Sequence, residues 1–214
     1  MTGLVQSGTA NTAGGAATSV SVTLGAAPTP GNLLVAVLNL AANTVSATPW
    51  GATADATSIL AATLRTVIYS KIAGASESAT ISATLSSSAT THRLTVYEFA
   101  PTAGLAWQGI DKLATNQDAG ATVTTLSTGT TAATTATDGV AVAGFSFNGA
   151  FTGLTLTNGY TSLLNGNSVT GHLVLTATGT QETTASWTTA RRVSAAVAAY
   201  KQGVGSSAAF LSLL

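Results

Sequence analysis

The sequence has no cysteine, and Lys, Arg, Asp and Glu together make up only 7% of its 214 residues. Without cysteine the chain can form neither disulfides nor thiolate metal sites, and it offers no cysteine nucleophile. The seven Lys and Arg residues balance the seven Asp and Glu residues, and they form no basic cluster of the kind that phosphate contacts require. We therefore expect no nucleic-acid partner.

Long apolar runs and a leader segment are also missing. The run Leu33–Leu38 is far shorter than the roughly 20 residues that a membrane-spanning helix needs, so we expect no membrane partner. Met1–Ser7 contains no basic residue followed by an apolar stretch. The sequence thus predicts no secretory signal and a protein made in a cytoplasm.

Small residues dominate what is present. The chain contains 41 alanines, 40 threonines, 22 glycines and 21 serines, which fill more than half of its positions. Hydrophobic residues still account for 45%, and a chain with so little charge gains little from staying solvated, so we expect it to fold. Its length allows one or two domains with a substantial core.

The local pattern predicts β-structure. Val20, Val22 and Leu24 alternate with small polar residues, and threonine and valine favour strands over helices. Leu33–Val37 does not alternate, which indicates a strand covered on both faces. Short strands separated by turn signals predict an all-β fold, a jelly-roll or immunoglobulin-like β-sandwich. Comparable alternating runs are Thr66–Ile72, Thr80–Leu85, Leu94–Phe99, His172–Ala177 and Val193–Tyr200, and turn signals are Pro28–Gly31, Asn148–Gly149, Asn158–Gly159 and Asn165–Gly166.

An internal repeat of about 105 residues organises the chain. A shift of 105 positions superimposes Val35–Val37 on Val140–Val142 and Glu77 on Glu182, two of the three glutamates. A gap beyond Glu182 then aligns His92–Leu94 with Arg191–Val193. These matches predict two tandem sandwich repeats packed closely together, although one sandwich and two sandwiches both remain open. The predicted units are 1–105, 106–202 and a flexible apolar tail at 203–214, with Pro101–Lys112 connecting the repeats.

Two segments resemble a known family. Pro28–Val37 is similar to the Gly-Asp-Leu-Leu-Val-Ala-Val strand of duplicated β-sandwich modules in tailed-phage virion proteins. Ile68–Glu77 resembles the same family's Tyr-Lys-x-Ala-Gly-x-x-Glu strand and turn. Asn32 replaces the usual aspartate, and the second repeat lacks Tyr-Lys before Gly179. The resemblance implies a structural virion protein, either a capsid decoration, head-fibre or minor tail protein, and it carries over no catalytic residue.

Residues suited to catalysis or metal binding are few, so we predict neither an enzyme nor a cofactor. His92 and His172 lack metal-ligand spacing, and we expect solvated residues at strand ends rather than catalytic bases. Glu77 and Glu182 would form a glycosidase pair only if they met near the axis that relates the repeats. We expect each instead to accept hydrogen bonds from its own glycine-containing turn. Asp111–Asp118 lacks the spacing of a calcium loop and is predicted to be a loop rim.

Two further sets of residues are candidate contact sites. Trp50, Phe151 and Tyr160 would stack on sugar rings if exposed together, although core packing is the expected role of large side chains here. They define the alternative function, a carbohydrate- or receptor-binding module that recognises a host-surface glycan. Phe210, Leu211, Leu213 and Leu214 end the chain, and burying each would contribute about 1.5–3 kcal/mol. They predict either a final element that docks on the chain's own body or a tail that docks on neighbouring copies and other virion proteins.

Overall fold

The structure is a computed structural model that describes residues 2–12, 17–41, 44–61, 63–89 and 91–205. These residues form two repeats of eight β-strands, with one 3₁₀ turn at Pro49–Gly51. In this part of the chain no helix is long and apolar enough to cross a bilayer. The strands of the first repeat are β1 (Gly3–Asn11), β2 (Ala17–Thr23), β3 (Leu33–Ala41), β4 (Val45–Ala47), β5 (Ala54–Leu60), β6 (Leu64–Ile72), β7 (Thr80–Ala89) and β8 (Arg93–Ala100). Those of the second repeat are β9 (Leu105–Gln117), β10 (Val123–Ser127), β11 (Gly139–Phe147), β12 (Thr155–Leu156), β13 (Thr161–Asn165), β14 (Ser168–Leu175), β15 (Thr184–Arg191) and β16 (Val193–Val204).

Both repeats have the same topology. In the first repeat a five-stranded inner sheet has the order β1-β8-β3-β6-β5, and a three-stranded outer sheet has the order β2-β7-β4. The second repeat has an inner sheet β9-β16-β11-β14-β13 and an outer sheet β10-β15-β12. Adding eight to the number of a strand in the first repeat gives the number of the equivalent strand in the second repeat. The predicted all-β sandwich with a tandem repeat is confirmed.

The four sheets stack in four layers with three hydrophobic cores between them. One core fills each sandwich, and a third joins the two inner sheets back to back. This central core draws Val35 and Val37 from the first repeat and Val140 and Val142 from the second. The repeats are therefore two sandwiches in intimate contact, and the prediction that left one or two sandwiches open is resolved.

The layer order explains the two kinds of strand in the sequence. In β2, Val20 and Val22 are buried while Ser19 and Ser21 face solvent, because an outer sheet has one covered face. Every residue of β3 from Leu33 to Leu40 is buried, because an inner sheet is covered on both faces.

Strand register corrects one part of the repeat alignment. Tyr97 lies opposite Val35 in the first repeat, and Tyr200 lies opposite Val140 in the second. Since Val35 and Val140 are equivalent, the two tyrosines are equivalent as well. The alignment of His92–Leu94 with Arg191–Val193 is wrong, because the gap that it assumes shifts the last strand out of register.

Two predicted irregular segments are strands. β9 begins at Leu105, so most of the supposed connection 101–112 and the supposed rim Asp111–Gln117 pair with β16. Gly203 and Val204, assigned to the tail, pair with Ala106 and Leu105. The alternation of β9 is hidden in the sequence, because its pairing with β16 is irregular near Tyr200 and its apolar residues Leu105, Trp107, Ile110 and Leu113 do not recur at every second position. Phe210, Leu211, Leu213 and Leu214 lie outside the described residues.

Candidate functional site

The edges of the two inner sheets form two lateral sides of the stack. β1 lies beside β13, and β5 lies beside β9, so each side presents one edge strand from each repeat. An edge strand pairs on one side only, and its other side offers free backbone donors and acceptors for pairing with another chain. We refer to these surfaces as the β1/β13 side and the β5/β9 side.

Apolar side chains concentrate on these two sides. Among the described residues eight large hydrophobic side chains are exposed, and six of them lie on the four edge strands. On the β1/β13 side they are Leu4, Val5 and Leu164, which are 41%, 51% and 58% exposed, and on the β5/β9 side they are Ile59, Ile110 and Leu113. Exposed apolar groups on an unpaired edge are a feature that soluble monomers usually avoid.

Charge does little to protect these edges. β1 and β13 contain no Lys, Arg, Asp or Glu. On the other side, Asp111 and Lys112 of β9 contact each other at 3.3 Å, and Asp111 also accepts hydrogen bonds from the Thr135 backbone N–H at 2.6 Å and its hydroxyl at 2.8 Å. Charges engaged in this way oppose a neighbouring strand less than free lysines would.

The three candidate aromatic residues do not share a surface. Trp50 is half-buried against the core of the first sandwich, whereas Phe151 and Tyr160 pack into the core of the second. The Phe151 ring lies 4.4 Å from that of Phe147, and Tyr160 is only 6% exposed. Burial raises the pKa of the Tyr160 hydroxyl. Because the two cores lie at opposite ends of the stack, the structure does not bring these residues together as a sugar platform.

The two equivalent glutamates are bound separately. Glu77 accepts a hydrogen bond from the Gly74 backbone N–H at 3.3 Å and pairs with Lys71 at 2.7 Å, as a carboxylate held by its own turn. Glu182 accepts hydrogen bonds from the hydroxyls of Thr130 and Ser127, which lower its pKa, and not from a glycine turn. Among the described residues the two carboxylates have no hydrogen-bond or ion-pair partner in common.

The prediction of solvated histidines at strand ends is wrong for His92, which is buried, and His172 is half-buried in the middle of a strand. His92 is fully buried, because it leads directly into β8 in the interior of the first inner sheet. His172 lies within β14, with its ring 5.5 Å from that of Tyr97 and 5.7 Å from that of Phe99. Burial lowers the pKa of both imidazoles. In the described part of the chain no three His, Asp or Glu residues are grouped to hold a metal ion.

Sequence reasoning missed a buried carboxylate, Glu98. Its side chain is fully buried on β8 and accepts hydrogen bonds from the Thr29 backbone N–H at 2.8 Å and from Asn32 Nδ2 at 2.6 Å. Gln6 Nε2 donates a third bond at 2.5 Å. The one available signal was a glutamate inside the apolar run 94–99. All three donors are neutral, and they come from β1 and from the loop before β3. Glu98 is therefore a structural residue that holds this loop to β8.

Comparison with known proteins finds no protein-family model, no curated protein and no solved structure that matches this chain. The similarity of Pro28–Val37 and Ile68–Glu77 to phage virion modules therefore stays a prediction. In the fold these segments are the turn into β3, and β6 with the turn that follows it. Both belong to the middle of an inner sheet.

Proposed function

We propose that this chain is a structural protein of a tailed-phage particle, a capsid decoration or head-fibre subunit that acts by non-covalent assembly. Its partners are copies of itself and the major capsid or tail proteins, and its role is structural rather than enzymatic. The observation that carries the proposal is the set of exposed apolar side chains on the four edge strands, each of which pairs on one side only.

The physical argument begins with burial. Covering the exposed part of each of these half-buried Leu, Ile or Val side chains contributes about half of the roughly 1.5–3 kcal/mol that full burial supplies, and backbone pairing along an edge fixes the register. A chain with zero net charge and 7% charged residues has little self-repulsion to oppose such contacts. This combination of exposed apolar edges and little charge is suited to close packing of identical subunits on a particle surface.

The duplication adds a geometric argument. β1 is equivalent to β9 and β5 to β13, so the β1/β13 and β5/β9 sides are similar surfaces on opposite flanks of one chain. A subunit with related edges on both flanks can contact neighbours in two directions, as a lattice or fibre requires. The aromatic candidates are packed in separate cores, so we propose no glycan-binding function.

The test is the solution mass of the full chain over a range of concentrations, measured by light scattering and sedimentation. We expect a defined oligomer that Leu113→Lys or Leu164→Lys converts to smaller species. Thr84→Lys is the matched control, since Thr84 is exposed on the central strand of an outer sheet. A monomer at every concentration, or equal effects of all three lysines, would contradict assembly through the edges.

Two further measurements address the particle and the tail. Mass spectrometry of purified phage particles from the source should detect the chain in stoichiometric amount, and its absence there would reject the virion assignment.

The predicted docking residues Phe210, Leu211, Leu213 and Leu214 are tested by comparing the full chain with one that ends at Gly205. An unchanged oligomer after truncation would remove the tail from the assembly mechanism.

A further inference from the structure

A cavity of about 110 Å³ lies between the two repeats, at one end of their shared core. The first repeat contributes Asn39 and Leu40 from β3, Leu64 from β6 and Arg93 from β8, and the second contributes Ser146 and Phe147 from β11. The lining thus combines one cation and several polar groups with the apolar side chain of Leu64. A volume this far below the 300 Å³ of ordinary drug-sized pockets accommodates a ligand of a few heavy atoms.

Two polar side chains in this cavity are buried and incompletely bonded. Asn39 is 1% exposed, and within the described residues neither its Oδ1 nor its Nδ2 has a hydrogen-bond partner. Arg93 is 6% exposed and donates from Nη1 to the His92 carbonyl at 3.1 Å, while its Nε has no partner there. No described Asp or Glu forms an ion pair with Arg93. Buried polar groups in native proteins are nearly always satisfied, so these three atoms require an explanation.

The two side chains also face the same space. Asn39 and Arg93 are directly opposite each other in neighbouring antiparallel strands, and paired residues project from the same face of a sheet. That face is the one directed at the second repeat. Directly paired side chains are within about 5.5 Å at their Cβ atoms, so one small ligand can contact both.

The second repeat shows that the fold does not require polar residues here. The positions equivalent to Asn39 and Arg93 are Gly144 and Ala196, which are also opposite each other. Small residues without polar side-chain atoms fill the equivalent place without any unsatisfied group. The amide and guanidinium of the first repeat are therefore an addition to the duplicated framework, and they carry a free-energy cost unless something binds them.

We propose that this cavity binds a small monocarboxylate, with Arg93 Nε–H and Asn39 Nδ2–H donating to its oxygens and with Leu64, which shares the Asn39 face of the sheet, contacting its apolar part. One guanidinium balances one negative charge, which favours a monoanion over a doubly charged phosphate. The Leu64 side chain favours a carboxylate with a short hydrocarbon portion over a spherical ion. This site is independent of the assembly function, since neither residue lies on an edge strand.

The site is tested by titrating the ¹⁵N-labelled full chain with acetate and propionate at pH 7, with chloride used to keep the ionic strength constant. We expect saturable shifts of the Arg93 Nε–H and Asn39 Nδ2–H₂ signals. Arg93→Gln should weaken binding at least tenfold. Arg65→Gln is the matched control, because Arg65 Nε is likewise unpartnered among the described residues but Arg65 does not line the cavity.

Several outcomes would overturn the proposal. Shifts that remain linear to 100 mM, or that chloride reproduces, would mean that no carboxylate site exists. Equal weakening by Arg93→Gln and Arg65→Gln would show a general loss of positive charge rather than loss of a contact. If Arg93→Gln does not fold, Asn39→Leu replaces it, since a leucine of similar size removes both polar atoms of the amide. Undiminished binding by Asn39→Leu would then exclude the cavity.

Discussion

Tyr97 and Tyr200 occupy equivalent positions in the two repeats, and each hydroxyl bonds to a side chain of the opposite repeat. The Tyr97 hydroxyl lies 2.5 Å from the Thr170 hydroxyl, and the Tyr200 hydroxyl donates to Asp55 at 2.8 Å. Both rings are buried in the core between the inner sheets. Two tyrosines reaching in opposite directions thus bind the sandwiches to each other with polar as well as apolar contacts.

Removing these hydroxyls should destabilise the chain unequally. Tyr200→Phe deprives a carboxylate of a donor and should lower the free energy of unfolding by about 1.5–3 kcal/mol. Tyr97→Phe removes a bond between neutral groups and should cost about 0.5–1.5 kcal/mol. Urea unfolding at pH 7, followed by tryptophan fluorescence, measures both values.

Tyr160→Phe is the matched control for those two substitutions. The Tyr160 hydroxyl is buried and has no partner among the described residues, so its removal should be neutral or stabilising. A cost for Tyr160→Phe as large as that for Tyr200→Phe would show that loss of the packing contacts of the hydroxyl oxygen, not loss of the hydrogen bond, explains the effect.

The buried carboxylate Glu98 should matter more than either glutamate of the repeated turn. Glu98→Gln places an amide where three donors converge, and it should lower the free energy of unfolding by about 2–3 kcal/mol. Glu77→Gln removes only an ion pair with partly exposed Lys71 and should cost less than about 1 kcal/mol. Chemical denaturation at neutral pH measures the loss of unfolding free energy in both variants. A larger loss for Glu77→Gln than for Glu98→Gln would mean that Glu98 does not hold the loop before β3 in place.

The sequence predicted the strands that have a simple burial pattern. Alternation at Val20 and Val22 identified a strand with one exposed face, and the unbroken run Leu33–Val37 identified one covered on both faces. Each of these patterns reports the surroundings of a single strand. The repeat was equally visible, because a duplicated chain preserves its order of strands.

Features that depend on two distant strands were not predictable in this way. Nothing local to β8 or β11 indicates that the inner sheets meet back to back, or that Arg93 and Ser146 line the same cavity. The buried glutamate is another example of a feature that the sequence pattern did not predict. Glu77 and Glu182 are candidate residues because they align in the repeat, whereas Glu98 has no equivalent glutamate and the repeat does not identify it.

Close approach of the repeats makes Gly144 intolerant of a side chain. A Cβ added there would lie 2.6 Å from Val37 Cγ1 and 3.0 Å from Thr66 Cγ2, atoms of the facing inner sheet. Gly144→Ala should therefore lower the free energy of unfolding by about 1–3 kcal/mol. Gly179→Ala is the control, because a Cβ there meets nothing within 4 Å, and its stability should change by less than about 0.5 kcal/mol. Equal losses of stability for Gly144→Ala and Gly179→Ala, measured by thermal or urea unfolding, would mean that the two inner sheets do not touch at Gly144.

Mild acid should destabilise the fold through the buried His92 and the half-buried His172. Burial lowers the pKa of His172, so below its ordinary value near 6.5 the unfolded chain binds a proton that the folded chain resists. The free energy of unfolding should then fall as the pH falls from 7.5 to 5.5, by at most about 1.4 kcal/mol per pH unit for each such histidine. Glu182, whose pKa is lowered by hydrogen bonds from Thr130 and Ser127, titrates below this window.

The contribution of one histidine can be isolated with His172→Phe, which keeps an aromatic ring beside Tyr97 and Phe99. We expect a shallower dependence of the unfolding free energy on pH between 7.5 and 5.5, with His92 responsible for what remains. Urea unfolding at three pH values measures both slopes. Parallel slopes for the variant and the parent chain would show that His172 is freely protonated in the fold.

Asn39→Leu should make the protein more stable while it removes the proposed carboxylate site. Both polar atoms of Asn39 are buried without a partner among the described residues, so an apolar side chain of similar size relieves their desolvation cost. In the absence of any carboxylate, the free energy of unfolding should rise by about 1 kcal/mol. Adding propionate should raise the unfolding midpoint of the parent chain but not that of the variant, because a ligand stabilises only the form that binds it. A less stable variant would show that Asn39 is already satisfied in solution, and then the cavity would have no free amide to offer a ligand.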